Sequence, residues 1–365
     1  MQKIPVGVLG ATGMVGQNYI SLLNDHPWFE VRYVAASPRS AGKTYAEATA
    51  GRWHLAAPYS PHVGGLVVAD ANDVGAAKAA AARGDCAFVF SALEMSKDEI
   101  KALEEAYAAA GIPVVSNASA HRWTSDVPML IAEVNPHHVE VIPAQKKSRG
   151  WDKGFIVVKP NCSIQSYMTP IHALRLAGYE VRRMIVTTLQ AVSGAGYPGV
   201  PSLDMIDNVV PYIGGEEEKS EQEPLKIFGK VENGVIANAA APLVAAHCNR
   251  VPVVDGHTAC VSLEFGDKKP SVEDVKAIFS SFRALPQELS LPFAPDRPII
   301  VREENDRPQP RLDRDADKAM AVSVGRIRPC KIFDLRFVGL SHNTVRGAAG
   351  GGILNAELLK AKGFI

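Results

Sequence analysis

The sequence has no surplus charge of either sign: 39 Lys and Arg stand against 39 Asp and Glu. A balanced chain creates no global field for nucleic acid or an anionic membrane surface, so neither is expected as a partner and whatever binds does so locally. Cysteine is scarce and odd in number, five in 365 residues (Cys86, Cys162, Cys248, Cys260 and Cys330), with no CxxC pair, which points to free thiols in a reducing compartment. No apolar run reaches the roughly 18 residues that a membrane span requires. Even the Ala-rich stretch from 237 to 246 is interrupted by Asn238 and Pro242. The N-terminal residues lack the succession of basic region, apolar segment and small-residue cleavage site that marks a secretory leader, so a cytoplasmic protein is the expectation.

Hydrophobic residues make up 47% of the chain and charged residues 21%, enough apolar material for a real core and too much for a disordered chain. Chains beyond roughly 250–300 residues usually divide their cores, so two domains are expected. The first 120 residues alternate strand-like runs (Val6–Leu9, Val31–Ala36, Ala87–Phe90, Ile112–Val115) with helical patterns after Gly13, over Ala76–Ala82 and over Asp98–Ala110. That alternation predicts a parallel sheet covered on both faces. Beyond about Val158, longer strand-like segments (Met184–Val192, Thr258–Phe265, Ala321–Ile327, Ile332–Val338) with fewer helices predict a mixed or antiparallel sheet. Pro292–Pro298 and Glu303–Lys318 read as surface loops, and Gly347–Lys362 as a glycine-rich turn leading into a helix with a stripe of Ile353, Leu354, Leu358 and Leu359.

Gly10-Ala11-Thr12-Gly13-Met14-Val15-Gly16 follows the first strand and opens a helix, the context in which glycines admit a pyrophosphate to backbone N–H groups. The spacing is GxxGxxG rather than GxGxxG, with Thr12 in place of a glycine, and a tight turn that binds nothing is the competing reading. Glu30 lies 20 residues after Gly10 but at the beginning of the second strand. The far end of that strand reads Ser37-Pro38-Arg39-Ser40, with hydroxyls and a guanidinium suited to a 2′-phosphate, which favours NADP over NAD; a plain polar turn is the alternative.

Asn161-Cys162-Ser163 closes the apolar run Phe155–Val158 and precedes a helical pattern. A cysteine there is expected to feel helix-terminal N–H groups that lower its pKa and make it a nucleophile, against the alternative of a buried structural thiol. Cys86 and Cys260, in apolar strands, read as small core residues. His247, Cys248, His257 and Cys260 invite a zinc reading, but positions 257 and 260 face opposite sides of a strand, so no metal is expected.

Taken together, the Gly10–Gly16 turn, Asn161-Cys162-Ser163, Gln190-Ala191-Val192-Ser193-Gly194, Glu216-Glu217-Glu218-Lys219, Arg250-Val251-Pro252-Val253 with Gly256-His257-Thr258, and Asn343 to Gly350 resemble aspartate-semialdehyde dehydrogenases, the fungal and archaeal branch above all. The resemblance spans nearly the whole chain. It implies an α/β fold: a doubly wound parallel-sheet NADP-binding domain (1–155, completed by 343–365) plus an α+β mixed-sheet catalytic and dimerisation domain (156–342). It implies reductive dephosphorylation of 4-phospho-L-aspartate to L-aspartate 4-semialdehyde, in the biosynthesis of Lys, Thr, Met and Ile. Cys162 would form a thioester, His257 would act as acid and base, and Gln190 would hold the thioacyl group. Arg250 would clamp the α-carboxylate, Arg122 and Lys219 the phosphate and Glu216 the amine, with Asn161 beside them. Cofactor contacts would come from Gly10, Thr12, Gly13, Met14, Val15, Ser37, Arg39, Ser40, Ser91, Ser193, Gly194, Asn343 and Gly347. The partners implied are the acyl-phosphate substrate, phosphate, and further copies of the chain in a homodimer or homotetramer.

Plainer readings stand beside these: an ordinary strand-end glutamine, a surface arginine, and a solvated helix for the acidic run from Glu216. Two features depart from the family pattern. Glu94 occupies a turn, Ser91-Ala92-Leu93-Glu94, where proline is usual, and Pro292–Lys318 is unusually rich in Pro and Asp. Malonyl-CoA reductase and a non-catalytic NADP-binding sensor share part of the pattern, whereas N-acetylglutamyl-phosphate reductase, with Gly-Cys-Tyr at its nucleophile, fits less well.

Overall fold

The computed structural model describes residues 2–365. Its first sheet contains β1 (Ile4–Leu9), β2 (Phe29–Ala36), β3 (Ala69–Asp70), β4 (Phe88–Ser91), β5 (Val114–Ser116) and β6 (Ile156–Val158). All pairs are parallel, in the order β3-β2-β1-β4-β5-β6. Strands buried on both faces need continuous apolar runs, and Val6, Val8, Phe88, Val89 and Phe90 supply them at full burial. The order reverses between β1 and β4, so the crevice above their carboxyl ends, at Gly10 and Ala92, is where such a sheet receives a ligand. Because Ile156–Val158 pairs with β5, the first sheet extends past residue 155, the boundary that the family resemblance implied, to Val158, where the sequence pattern changes.

The second sheet is mixed, with the order β10-β7-β11-β14-β13-β12. It comprises β7 (Val181–Gln190), β10 (Leu243–Arg250), β11 (His257–Phe265), β12 (Ile299–Arg302), β13 (Val322–Pro329) and β14 (Leu335–Ser341), while β8 (Lys230–Glu232) and β9 (Val235–Ala237) form a separate hairpin. In β7, Met184, Val186 and Thr188 point inward, against Ile171, Leu174, Val275 and Phe279 of the covering helices. The opposite face carries Ile185 and Leu243, both exposed. Cys260 lies on that exposed face rather than in the core, because the alternation of β11 buries Ala259 and Val261 and turns Cys260 outward. The last strand begins at Leu335, later than its apolar pattern suggested, and Ile332 sits in the preceding turn, 87% exposed.

The C-terminal helix Gly350–Ala361 returns to the first sheet and buries Ile353, Leu354, Leu358 and Leu359 with Val6, Val8 and Phe88. Its Glu357 accepts from Phe293 N and pairs with the buried His26 at 2.7 Å, which ties the segment around Pro292 to the nucleotide side. Pro292–Lys318 is therefore more than surface loop. It contains the edge strand β12 and the buried Asp313, which holds Arg302 and Arg307.

Candidate active site

The nucleotide end is built from glycine. Gly10 has φ +72°, and a Cβ there would lie 2.2 Å from the Ala92 carbonyl oxygen; one on Gly16 would lie 2.1 Å from that of Gly10. The turn closes this tightly only without side chains. Helix Met14–Leu22 starts at Gly13 with no side-chain cap, leaving first-turn N–H groups for a ligand. A cavity of about 230 Å³ opens beside it, lined by Gly10, Thr12, Gly13, Ser37, Arg39 and Glu94 among others. Arg39 is exposed at its rim and makes no ion pair among the described residues. Glu30 is paired to Arg32 at the opposite end of β2, in register with Pro5. The cradle and the free guanidinium fit a dinucleotide with a 2′-phosphate.

Two expected cofactor contacts do not fit. The Ser91 hydroxyl is fully buried and donates to Glu104 Oε1 at 2.6 Å, so it faces the sheet-covering helix instead of the crevice. Ser40 is 2% exposed and lines neither cavity, because its N–H closes the turn back onto the Ser37 carbonyl.

A second cavity, of about 320 Å³, adjoins the first through Glu94. It is lined by Met14, Val15, Asn117, Ser119, Arg122, Lys159, Asn161, Cys162, Ser193, Gly194, Glu216, Lys219, Asn343 and Gly347 among others. Residues far apart in sequence thus meet over one cysteine. Cys162 Sγ lies 3.4 Å from His257 Nε2, and His257 Nδ1 accepts the Ala191 N–H at 3.0 Å. With Nδ1 occupied as an acceptor, the neutral ring carries its proton on Nε2, directed at sulfur. Burial and the nearby Arg250 push the imidazole pKa down to about 3, so the ring stays neutral at working pH.

The cysteine departs from expectation. Burial and the Glu216 carboxylate push the thiol above its ordinary value, while Lys159, Arg122 and Arg250 pull it back. The helix-terminal depression is missing for a geometric reason: Cys162 precedes a single 3₁₀ turn, Ser163–Ser166, which breaks at Tyr167 before the helix Met168–Leu176 begins. That turn is too short to aim a substantial dipole at sulfur.

Glu216 collects most of the expected substrate ligands. Asn161 Nδ2 donates to both its oxygens (2.9 and 2.8 Å), Lys219 pairs with it at 2.8 Å and Gln190 Nε2 reaches it at 3.2 Å. Burial alone would raise its pKa, yet Lys219 and these hydrogen bonds hold it below the usual carboxylate range. The acidic run is not a solvated helix: Glu216, Ser220, Glu223 and Ile227 form a buried face of Glu216–Ile227. Arg122 is held by Glu223 at 2.9 Å and by the Lys159 and Asn117 carbonyls. Gln190, Arg250 and His257 lie behind the cavity wall, where Arg250 donates to the Ala191 carbonyl at 2.8 Å and Gly194 fits against both Arg250 and His257. Asn343 donates to Ser193 Oγ at 2.8 Å and accepts from Gly256 N, and Gly347 packs on Cys162, where a Cβ would lie 2.8 Å from the cysteine Cβ. Lys159, Asn117 and Ser119 also line the cavity and Glu223 holds Arg122, without a motif that assigns them a role. Only the i, i+4, i+7 spacing of Glu216, Ser220 and Glu223 could have flagged one of them.

Known proteins resemble the chain over nearly its whole length. Residues 5–142 match the family model described as semialdehyde dehydrogenase, NAD binding domain, and residues 171–346 the one described as semialdehyde dehydrogenase, dimerisation domain. The aspartate-semialdehyde dehydrogenase of Methanothermobacter thermautotrophicus is 48% identical, with 98% of this chain and 99% of that protein aligned. That of Aspergillus fumigatus is 47% identical, with 100% and 99% aligned. The crystal structure of aspartate-semialdehyde dehydrogenase with NADP from Candida albicans superposes with a TM-score of 0.89 at 42% identity, covering 100% of both chains.

Proposed function

The chain belongs to the aspartate-semialdehyde dehydrogenase family, and from that premise we propose how its own residues divide the work of the family reaction. That reaction is NADP-dependent reductive dephosphorylation of 4-phospho-L-aspartate to L-aspartate 4-semialdehyde, a step of amino-acid biosynthesis. The observation that carries the assignment of roles is Cys162 in the wall of a cavity that adjoins a dinucleotide cradle, with His257 Nε2 3.4 Å behind its sulfur.

Cys162 as thiolate attacks the acyl carbon; a C–S bond forms, the C–O bond to phosphate breaks, and the departing phosphate takes the electron pair and then a proton from solvent. NADPH, when bound, supplies the hydride that reduces the thioester. The alkoxide left on carbon re-forms its C=O as the C–S bond breaks and sulfur leaves as thiolate. Through both events His257 Nε2–H donates, first to the thiolate and then to the oxyanion beside it, which a neutral ring with a fixed tautomer can do without changing its protonation state. Glu216, which Asn161 and Gln190 hydrogen-bond, would take the substrate ammonium, Arg250 its carboxylate, and Arg122 with Lys219 the phosphate. Gly10, Thr12, Gly13, Met14, Val15, Ser37 and Arg39 would hold the cofactor, with Ser193, Gly194, Asn343 and Gly347 closing over its reactive end. Residues 1–158 with the C-terminal helix would then bind cofactor and the remainder would carry the chemistry. We also place the protein in the cytoplasm, as a homodimer or homotetramer assembled through the exposed sheet face that carries Ile185 and Leu243.

The assignment is tested by following NADP reduction with L-aspartate 4-semialdehyde, which must require phosphate; reduction of malonyl-CoA alone, with no response to the semialdehyde, would overturn it. Arg39→Ala is expected to raise the KM for NADPH about ten- to a hundred-fold, the worth of one charge-assisted contact, with kcat little changed and NADH use unaffected. Parallel loss with both cofactors would assign Arg39 a structural role.

A further inference from the structure

Glu223, on helix Glu216–Ile227, is fully buried and lines neither cavity, so it touches no ligand itself. Its two oxygens serve two different elements. Oε1 accepts from Arg122 Nη1 at 2.9 Å, and Oε2 accepts the backbone N–H of Asn161, the residue before the nucleophile, at 2.6 Å. Arg122 follows β5 and Asn161 follows β6, so one carboxylate from a helix of the second sheet spans the ends of two neighbouring strands of the first. The far side of that helix is fixed as well, because Glu217 and Glu221 accept the N–H groups of Cys248 and Ala246 on the edge strand β10.

The two ends that Glu223 joins are otherwise well held. Asn161 Oδ1 accepts the Ser163 N–H at 2.7 Å, which closes the turn around Cys162. Lys226 donates to the Arg122 and Thr124 carbonyls at 2.7 Å each, so the backbone of the arginine loop has its own tether. What Glu223 adds is the aim of the guanidinium. Arg122 Nε donates to the Lys159 carbonyl at 3.0 Å and Nη2 to that of Asn117 at 3.4 Å; with the bond to Glu223, three of its five N–H groups are engaged and two remain for a ligand in the cavity it lines. By charge alone a carboxylate beside a phosphate site opposes the anion, so geometry is what it can contribute.

We infer that Glu223 is a positioning residue that holds the Arg122 guanidinium at a set distance from Cys162, with one oxygen on each. The inference rests on the acyl-phosphate reading of the cavity. An acyl phosphate carries its carbonyl carbon and its phosphorus on one bridging oxygen, so the group that grips phosphate and the sulfur that attacks carbon must keep a matching separation.

The test is steady-state oxidation of L-aspartate 4-semialdehyde, with KM measured separately for phosphate and NADP. In Glu223→Gln the amide can accept from one partner but turns an NH₂ group toward the other donor, so one of the two bonds is lost. KM for phosphate should rise about ten-fold and kcat fall about ten-fold, with KM for NADP within about two-fold of wild type. The sign is informative: loss of a negative charge with no loss of aim would lower KM for phosphate. In an Arg122→Ala background, itself raised in KM for phosphate, Glu223→Gln should add no further rise, because it acts through the guanidinium. A KM for phosphate that is unmoved or lowered in Glu223→Gln, or that rises by the same factor in both backgrounds, overturns the inference. A wild-type enzyme that needs no phosphate would instead fail the acyl-phosphate reading, and the inference with it. Should the glutamine variant fail to fold, as judged by circular dichroism, Glu223→Asp decides: it keeps the charge but is one methylene too short to reach both partners, and an unchanged KM for phosphate there overturns the inference equally.

Discussion

Cys162→Ala should lower kcat by about 10⁴-fold or more in either direction of the reaction, with KM for the cofactor changed by no more than about two-fold. The size follows from what sulfur does: it is the only atom to which the acyl group is attached, and the methyl group that replaces it offers no second route. The small effect on binding follows from position. The residue keeps its Cβ against Gly347, and the Gly10–Gly16 cradle lies in the adjoining cavity. Incubation with semialdehyde and NADP, followed by intact mass measurement, should show an acyl adduct on wild type and none on the variant. Turnover within ten-fold of wild type would remove Cys162 from the mechanism and favour a different acyl carrier.

The nucleotide half was largely legible because its information is local. A strand, three glycines and a helix in succession dictate the turn at Gly10, and the acidic Glu30 could be dismissed from its place at the start of β2 alone. The second half was legible only in its strongly apolar strands. β10, Leu243–Arg250, was missed because Ala245, Ala246, His247, Cys248 and Asn249 carry little intrinsic strand preference; it is a strand because β7 offers it a complete parallel ladder from Leu243 to Arg250. Motif likeness named residues that the structure gathers around one cavity, yet their electrostatic state was invisible in sequence. The thiol runs opposite to expectation because burial and Glu216 outweigh one short 3₁₀ turn, and neither burial nor a carboxylate 54 positions away can be seen from Asn161-Cys162-Ser163. Ser91 does not face the crevice for a similar reason: a strand-end hydroxyl can face the crevice or the covering helix, and Glu104 decides the matter.

The same burial fixes how activity should respond to pH once His257 is changed. His257→Ala is expected to reduce kcat by about 10²–10³-fold, the range for a positioned hydrogen-bond or proton donor, and to do so with little change in KM for NADPH. Its signature lies in the profile of kcat/KM against pH. With the ring pKa down near 3, imidazole protonation occurs far below the working range, so the rising limb of the wild-type profile belongs to ionisation of Cys162. Removing the ring should therefore leave that limb in place but shifted to higher pH, because the thiolate loses the Nε2–H that donates to it at 3.4 Å while keeping its cationic neighbours. If the limb instead vanished and the profile became flat, the imidazole would be the titrating group, and a base that removes the thiol proton would have to replace the neutral donor assigned to it. The hydrogen bond from Ala191 N to Nδ1 is what separates the two cases. It leaves Nε2 facing sulfur with the proton of the neutral ring, and in the proposed mechanism His257 therefore enters the reaction as a donor.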